Sequence, residues 1–168
     1  MDRLYSPWRS KYIGTFKNES PRTEESLFTR IYREKNDAKN LVLLRKKHCF
    51  VMMNLYPYNS GHLMIVPNKQ TAEITDLSKA ELTEIMNTSV EMIAVLKKLL
   101  HPHGFNVGAN LGRVAGAGVD DHIHFHIVPR WNGDTNFMPT LGNIKVVSED
   151  INAMYKKLKR IISEKKRK

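Results

Sequence analysis

The sequence has almost no cysteine and no long apolar run. Cys49 is its single cysteine, which excludes an internal disulfide and a C-x-x-C metal motif. No stretch reaches the roughly 18 apolar residues that a membrane-spanning helix needs. The charged start of the chain does not fit a signal peptide either. We therefore expect a cytoplasmic protein that does not act in a membrane.

Acidic residues are also in the minority. The 168 residues include 27 Lys and Arg against 17 Asp and Glu, which gives a formal net charge of +10. The excess lies in the last thirteen residues, which hold eight basic side chains and one acid. Such a terminus is most often a solvent-facing helix surface, so we expect no nucleic-acid partner. The net charge by itself is compatible with nucleic acid, an anionic membrane or phosphorylated small molecules as partners.

Length and composition are typical of one globular domain. Hydrophobic residues make up 41% of the chain and charged residues 26%, and no repeat or low-complexity linker divides it. We predict a single domain over residues 1–168. Within it we expect an irregular arm at 1–23, a core at 24–147 and a basic C-terminal helix at 148–168.

The periodicity of apolar residues predicts an antiparallel sheet covered by a long helix, with a short N-terminal helix and a basic C-terminal helix. A short helix is expected at residues 24–34, and Ser78 with Glu81 forms a capping box that begins a long helix. Strands are expected at 41–44, 49–54, 62–67, 105–110 and 121–129. The side chains expected to face the sheet from the long helix are Leu82, Ile85, Met86, Val90, Ile93, Leu96 and Leu100. This order favours an α+β fold with about five antiparallel strands over a wound βαβ fold.

The pattern with the most chemical meaning is H-I-H-F-H-I-V at residues 122–128. Alternate residues of a strand share a face, so we expect His122, His124 and His126 to project one way and the apolar residues between them into the core. Neutral imidazole can attack phosphorus near pH 7, and flanking imidazoles can hold oxygens or carry protons. A phosphate-transfer site is therefore the first hypothesis.

Two other interpretations of the histidine row stay open. His122 and His124 with a third ligand could bind zinc in a metal hydrolase. His122 and His126 lie about 13 Å apart at Cα along a strand, which is too far for all three rings to share one ion. Alternatively, the row could clamp phosphates in a non-catalytic nucleotide- or nucleic-acid-binding module, with the basic tail adding affinity.

The row resembles the signature of the histidine triad (HIT) superfamily of nucleotidyl hydrolases and transferases, in which three histidines alternate with apolar residues. The resemblance spans about residues 26–140 and includes Asn54, Gly61 and His62. Segments 2–9 and 129–137 are similar to the branch that contains diadenosine tetraphosphate phosphorylases and hydrolases. Several bacterial relatives carry a zinc-binding C-x-x-C pair, where this chain has S-L-F-T at 26–29, so we expect no structural zinc.

The resemblance implies a mechanism and a set of site residues. His124 would attack the α-phosphorus of a dinucleoside polyphosphate and form a nucleotidyl-histidine intermediate. His122 and His126 would flank it, and the His122 carbonyl would accept from the second nitrogen of His124. A nucleoside phosphoramidate is the alternative substrate. The expected substrate-binding residues are Asn54 at the ribose, His62 beside the site, Asn110 at the α-phosphate, and the loop of Gly116, Ala117 and Gly118, with Trp131 able to stack on a base.

The expectations for cofactors and partners follow from the same resemblance. No resident cofactor is expected, and a divalent cation would enter only with the substrate polyphosphate. The family commonly forms homodimers across the sheet edge and the long helix, so a homodimer is implied, with a tetramer through the N-terminal arm as an alternative. The sequence leaves open whether water or inorganic phosphate accepts the nucleotidyl group.

Overall fold

A five-stranded antiparallel sheet lies at the centre of a computed structural model, which describes residues 25–134 and 150–165. The arm predicted at residues 1–23 lies outside the described residues. The helices are α1 (Leu27–Glu34), α2 (Lys79–Leu100) and α3 (Ile151–Lys165). The strands are β1 (Val42–Arg45), β2 (Cys49–Met53), β3 (Leu63–Pro67), β4 (Gly104–Ala109) and β5 (Phe125–Arg130). The predicted α+β fold is confirmed.

The strand order β1-β2-β3-β5-β4 gives the sheet two differently covered faces. Along β3, Leu63 and Ile65 point into an apolar cluster formed with α2 and α3. Met64 and Val66 point to the opposite face, where they pack with Phe28 of α1. This alternation is the period of two that a pleated strand imposes. The side of α1 is also the side toward which the histidine row projects.

The long helix α2 begins at the predicted capping box, in which Ser78 and Glu81 each bond to the other's backbone. Its buried face differs from the predicted one, because Leu82, Met86 and Val90 are 37%, 58% and 63% exposed. Thr88 and Ser89 are buried in their place. Their hydroxyls donate to main-chain carbonyls one turn earlier, which satisfies them inside the core.

The strand predicted at residues 121–129 begins only at Phe125. Its neighbour β3 pairs with it through Ile65, opposite Phe125. Two residues further along, β3 ends at Pro67, which has no amide hydrogen to donate to a ladder. His122 and His124 therefore lie just before the regular part of the sheet, and other contacts must hold their backbone.

The predicted basic C-terminal helix forms as α3, and it packs against the sheet. Met154, Leu158 and Ile162 of α3 are buried in the same cluster as α2. The Tyr155 hydroxyl donates to the Val42 carbonyl at 3.1 Å, which ties α3 to the edge strand β1. Within the described ranges, none of the helices combines the length and the apolar composition that spanning a bilayer requires.

A substitution at Gly61, just before β3, tests this packing. Its φ of +77° is a conformation that favours glycine, and an added Cβ would lie 2.5 Å from Leu100 Cδ1 and 3.1 Å from Leu96 Cδ2. Leu100 can shift, but the backbone strain stays. We expect Gly61→Ala to lower the free energy of unfolding by about 2 kcal/mol in urea denaturation.

Gly104→Ala is the matched control for that substitution. Gly104 stands in β4, and an added Cβ there meets no atom within 4 Å. Its free energy of unfolding should stay within about 0.5 kcal/mol of the wild-type value. Equal losses in Gly61→Ala and Gly104→Ala would contradict the packing described here.

Candidate active site

His124 has one ring nitrogen fixed by the backbone. Its Nδ1 lies 3.0 Å from the His122 carbonyl oxygen, which can only accept, so we assign the proton to Nδ1. In the neutral ring Nε2 then carries a lone pair. The side chain is 5% exposed and stands against Phe28, with ring centroids 5.0 Å apart. The contact to the His122 carbonyl is the one that the resemblance implies.

His122 is held at both of its ring nitrogens. Nε2 donates to the Pro67 carbonyl at 2.9 Å, which makes Nδ1 the acceptor. The Ser26 hydroxyl donates to that Nδ1 at 2.8 Å. With both nitrogens engaged inside the protein, the ring of His122 presents no nitrogen to a substrate or to a metal ion. Its carbonyl is the group that faces His124.

A relay of hydrogen bonds orients His126. The Tyr58 amide donates to Nδ1 of His62 at 3.1 Å, so His62 carries its proton on Nε2. That Nε2 donates to Nδ1 of His126 at 2.9 Å. His126 is therefore protonated on Nε2, which is buried and has no hydrogen-bond partner within the described residues. Its ring stands 4.8 Å from that of His124.

Burial keeps these imidazoles uncharged at neutral pH. It lowers the pKa of both His122 and His124, because a charged ring loses its hydration there. The pKa of His126 falls to about 4, through burial and then through the neighbouring His124. Neutral His124 needs no base to free its Nε2 lone pair, and neutral His126 presents an N–H donor.

The two asparagines close local turns. Asn54 follows β2, where its Oδ1 accepts from the Tyr56 amide at 2.9 Å and its Nδ2 approaches Nδ1 of His62 at 3.4 Å. It thus stands beside the His62 end of the relay. Asn110 follows β4, and its Nδ2 donates to the Gly116 carbonyl at 3.3 Å. Asn110 therefore ties the loop that contains Gly116, Ala117 and Gly118, here called the glycine loop, to the end of the sheet.

The glycine loop and the residue before it use main-chain amides in hydrogen bonds to the preceding turn. The amides of Ala115 and Ala117 donate to the Gly112 carbonyl, and the Gly116 amide donates to Arg113. These three amides therefore bond within the loop's own turn. Ala117 is buried and Gly118 is exposed.

Trp131 comes directly after β5 and is half-buried. The Trp131 amide donates a hydrogen bond to the Asp134 carboxylate at 3.0 Å. Arg130 donates to both oxygens of the same carboxylate. Asn59 donates to the same carboxylate at 2.7 Å, so this segment is fastened to the turn that precedes His62. These hydrogen bonds, above all those from Arg130, hold the pKa of Asp134 well below its usual range.

Sequence reasoning missed several residues that shape the site. Phe28 lies against the rings of both His122 and His124, at centroid distances of 5.6 Å and 5.0 Å. Tyr58 stacks on His62 at 4.8 Å. Helical spacing puts Phe28 on the apolar face of its helix but does not indicate that this face meets the histidine row. Tyr58 lies in a turn sequence that gives no sign of a contact with His62. Neither contact has a signal in the local sequence.

Comparison with known proteins settles the family. The HIT domain matches residues 35–133, more than half of the chain. The chain belongs to the HIT family. This HIT protein is 40% identical over 153 residues to the AP-4-A phosphorylase of Mycobacterium tuberculosis. That comparison covers 89% of this chain and 78% of the mycobacterial protein.

One further relative and one solved structure are also similar to this HIT protein. It is 30% identical over 104 residues to the asymmetrical Bis(5'-nucleosyl)-tetraphosphatase of Schizosaccharomyces pombe, covering 62% of this chain and 57% of that one. A Zn-bound histidine triad family protein from Mycobacterium smegmatis superimposes with a TM-score of 0.68 at 22% identity. That match covers 85% of this chain and 96% of the other, and it supports the fold alone.

The buried neutral histidines predict a loss of stability in acid. Because the pKa of His126 is about 4 in the folded protein against 6.5 for an unperturbed ring, the unfolded chain takes up the proton first. The contribution of His126 to the free energy of unfolding should therefore be greatest above pH 6.5 and decrease as the pH falls toward 4. His126 alone contributes about 3 kcal/mol to this fall, measurable by urea denaturation across that range.

His126→Gln should make this pH dependence shallower, since glutamine does not titrate. His101→Asn is the matched control, because His101 is exposed at the end of α2 in a left-handed conformation that asparagine accepts. Its pH dependence should match that of the wild type. A stability that does not change between neutral pH and pH 4 would contradict the burial of uncharged rings.

Proposed function

We propose that this HIT protein cleaves a phosphoric anhydride bond of a dinucleoside polyphosphate such as diadenosine tetraphosphate. The observation that supports this most directly is the ring of His124, whose Nδ1 proton is committed to the His122 carbonyl. Its Nε2 lone pair is thereby available as a nucleophile at neutral pH. The 40% identity to a protein named AP-4-A phosphorylase supports the substrate class.

The reaction proceeds in two displacements at the α-phosphorus. Nε2 of His124 attacks, a P–N bond forms, and the bond from phosphorus to the bridging oxygen breaks, so that the remaining nucleotide leaves with that electron pair. An oxygen of water, which releases its proton to the solvent, or an oxygen of inorganic phosphate then attacks the same phosphorus. The P–N bond breaks and the electron pair returns to Nε2. The first step needs no general base because His124 is already neutral.

His126 supplies a hydrogen-bond donor to the developing charge. Its Nε2–H is buried without a partner in the described part of the protein, beside the ring of His124. A phosphate oxygen placed there would satisfy this donor, and a fixed donor in a site of low dielectric stabilises a transition state strongly. His62 keeps the donor on Nε2 by occupying Nδ1. His122 acts through its carbonyl and not through its ring.

The remaining substrate contacts carry over from the family resemblance. We place Asn54 at the ribose, Asn110 near the α-phosphate and Trp131 against a base. The amides of Gly116 and Ala117 already bond within the glycine loop. We therefore place Gly118, the next residue, closest to the phosphate. A divalent cation enters with the polyphosphate, and no resident cofactor takes part. We place the enzyme in the cytoplasm, in keeping with its single cysteine.

The test of this function is turnover of diadenosine tetraphosphate with and without inorganic phosphate. ADP plus ATP indicates phosphorolysis, and AMP plus ATP indicates asymmetric hydrolysis. His124→Ala should lower turnover by at least about a thousandfold, because the nucleophile is gone. Mass spectrometry of quenched wild-type enzyme should locate a nucleotidyl group on His124.

Two outcomes would overturn the proposal. One is equal turnover by wild type and His124→Ala. The other is no turnover of any dinucleoside polyphosphate by the wild type. Turnover of a nucleoside phosphoramidate alone would point to the alternative substrate. Circular dichroism and urea denaturation of His124→Ala serve as the folding control.

We also propose that the enzyme is a homodimer joined through β4. Within the described residues this strand pairs with β5 alone, which leaves its other edge open, and Val107 on it is 48% exposed. An open strand edge is a ready site for a second copy, and two-fold dimers are the commonest assemblies. The exposed apolar stripe of Leu82, Met86 and Val90 on α2 offers further apolar surface.

Sedimentation velocity at micromolar concentration tests the dimer. The wild type should sediment as a dimer, and Val107→Lys should shift the population toward monomer, because an edge lysine opposes strand pairing. Leu55→Lys is the matched control, since Leu55 is 59% exposed in the turn after β2, away from the open edge. A monomeric wild type would contradict the proposal.

A further inference from the structure

We infer that Ser26 is a positioning residue for the nucleophile, acting on His124 through His122. This inference rests on the proposed role of His124. Ser26 is 1% exposed and stands just before α1, far in sequence from the histidine row. Its hydroxyl donates to Nδ1 of His122 at 2.8 Å, and the His122 carbonyl in turn accepts from Nδ1 of His124 at 3.0 Å.

The His122 end of the row needs such an anchor because His122 and His124 lie before the first residue of β5. The β3–β5 ladder ends at Phe125, and Pro67 cannot extend it. Beyond that point the described residues show one backbone bond on this side, from the Ile123 amide to the Thr71 carbonyl at 2.7 Å. The ring of His122 supplies the rest, with Nε2 on the Pro67 carbonyl and Nδ1 on Ser26.

The chemistry of the position favours a hydroxyl. The Ser26 oxygen accepts from the amides of Phe28 at 3.2 Å and Thr29 at 3.4 Å, as a helix N-cap does, and its one proton goes to His122. A carboxylate could cap the helix equally well, but it has no proton to donate. It would draw one onto Nδ1 of His122 and place a positive charge beside the nucleophile.

Two neighbours hold Ser26 in this role. The Gln70 side-chain oxygen accepts from the Ser26 amide at 3.0 Å and from the Thr29 hydroxyl at 2.8 Å, which fixes the start of α1. Phe28, two residues on, packs against both His122 and His124. The first turn of α1 is thus built onto the histidine row, so loss of the Ser26 hydroxyl should loosen the His122 carbonyl that orients His124.

Ser26→Gly tests the inference without removing the helix cap, because glycine caps a helix almost as well as serine. We expect kcat on diadenosine tetraphosphate to fall about tenfold with KM little changed, as for loss of one buried hydrogen bond that orients a reacting group. Ser26→Thr keeps the hydroxyl and should restore most of kcat. Long-range ¹⁵N NMR of the wild type should report His124 protonated on Nδ1, and of Ser26→Gly a mixture of tautomers.

Ser78→Ala is the matched control. It removes the N-cap of α2, whose hydroxyl bonds only with Glu81 among the described residues. It should lower stability and leave kcat and the His124 tautomer unchanged. Stability of all three variants is measured by urea denaturation, so that a loss of folded enzyme is separated from a loss of rate.

The inference is overturned if Ser26→Gly keeps wild-type kcat and a single His124 tautomer. It is also overturned if its loss of kcat only follows its loss of folded protein, as a purely structural role would predict. The NMR measurement does not depend on the reaction. A wild type that turns over no dinucleotide would therefore remove the proposed function, while the tautomer of His124 would still decide the role of Ser26.

Discussion

One hydrogen bond carries the chemistry of this protein: the bond from Nδ1 of His124 to the carbonyl of His122. An imidazole has two nitrogens and, when neutral, one proton, so fixing the proton on one nitrogen exposes the lone pair of the other. The acceptor is a main-chain oxygen, whose position depends on the whole path of residues 122–124. Much of the surrounding structure, from α1 to the end of β3, contributes to holding that path.

The same device recurs around the site. The Tyr58 amide sets the proton of His62, which sets the proton of His126, and the Pro67 carbonyl sets that of His122. Main-chain groups cannot change their donor or acceptor character, so they determine the tautomer of every ring that they reach. Burial lowers the pKa values of the row and keeps it neutral, which makes these assignments hold at physiological pH.

Membership of the HIT family accounts for the fold and for the triad. The hydrogen bonds that hold the triad come from residues outside it. Ser26 and Thr29 stand where several relatives are expected to carry a C-x-x-C pair, and their hydroxyls face Nδ1 of His122 at 2.8 Å and 3.5 Å. The amides of Ala115, Gly116 and Ala117 bond within their own turn. The buried Nε2 of His126, in contrast, has no hydrogen-bond partner within the described residues.

The sequence by itself determined the α+β order, the capping box at Ser78 and the alternation that sends Ile123 and Ile127 into the core, because these depend on local periodicity. It could not show that β5 begins only at Phe125, since the missing amide belongs to Pro67 on another strand. Nor could it show that Ser26 meets His122, 96 positions away. Tautomers and pKa values follow from such distant partners, and only the tertiary structure brings them together.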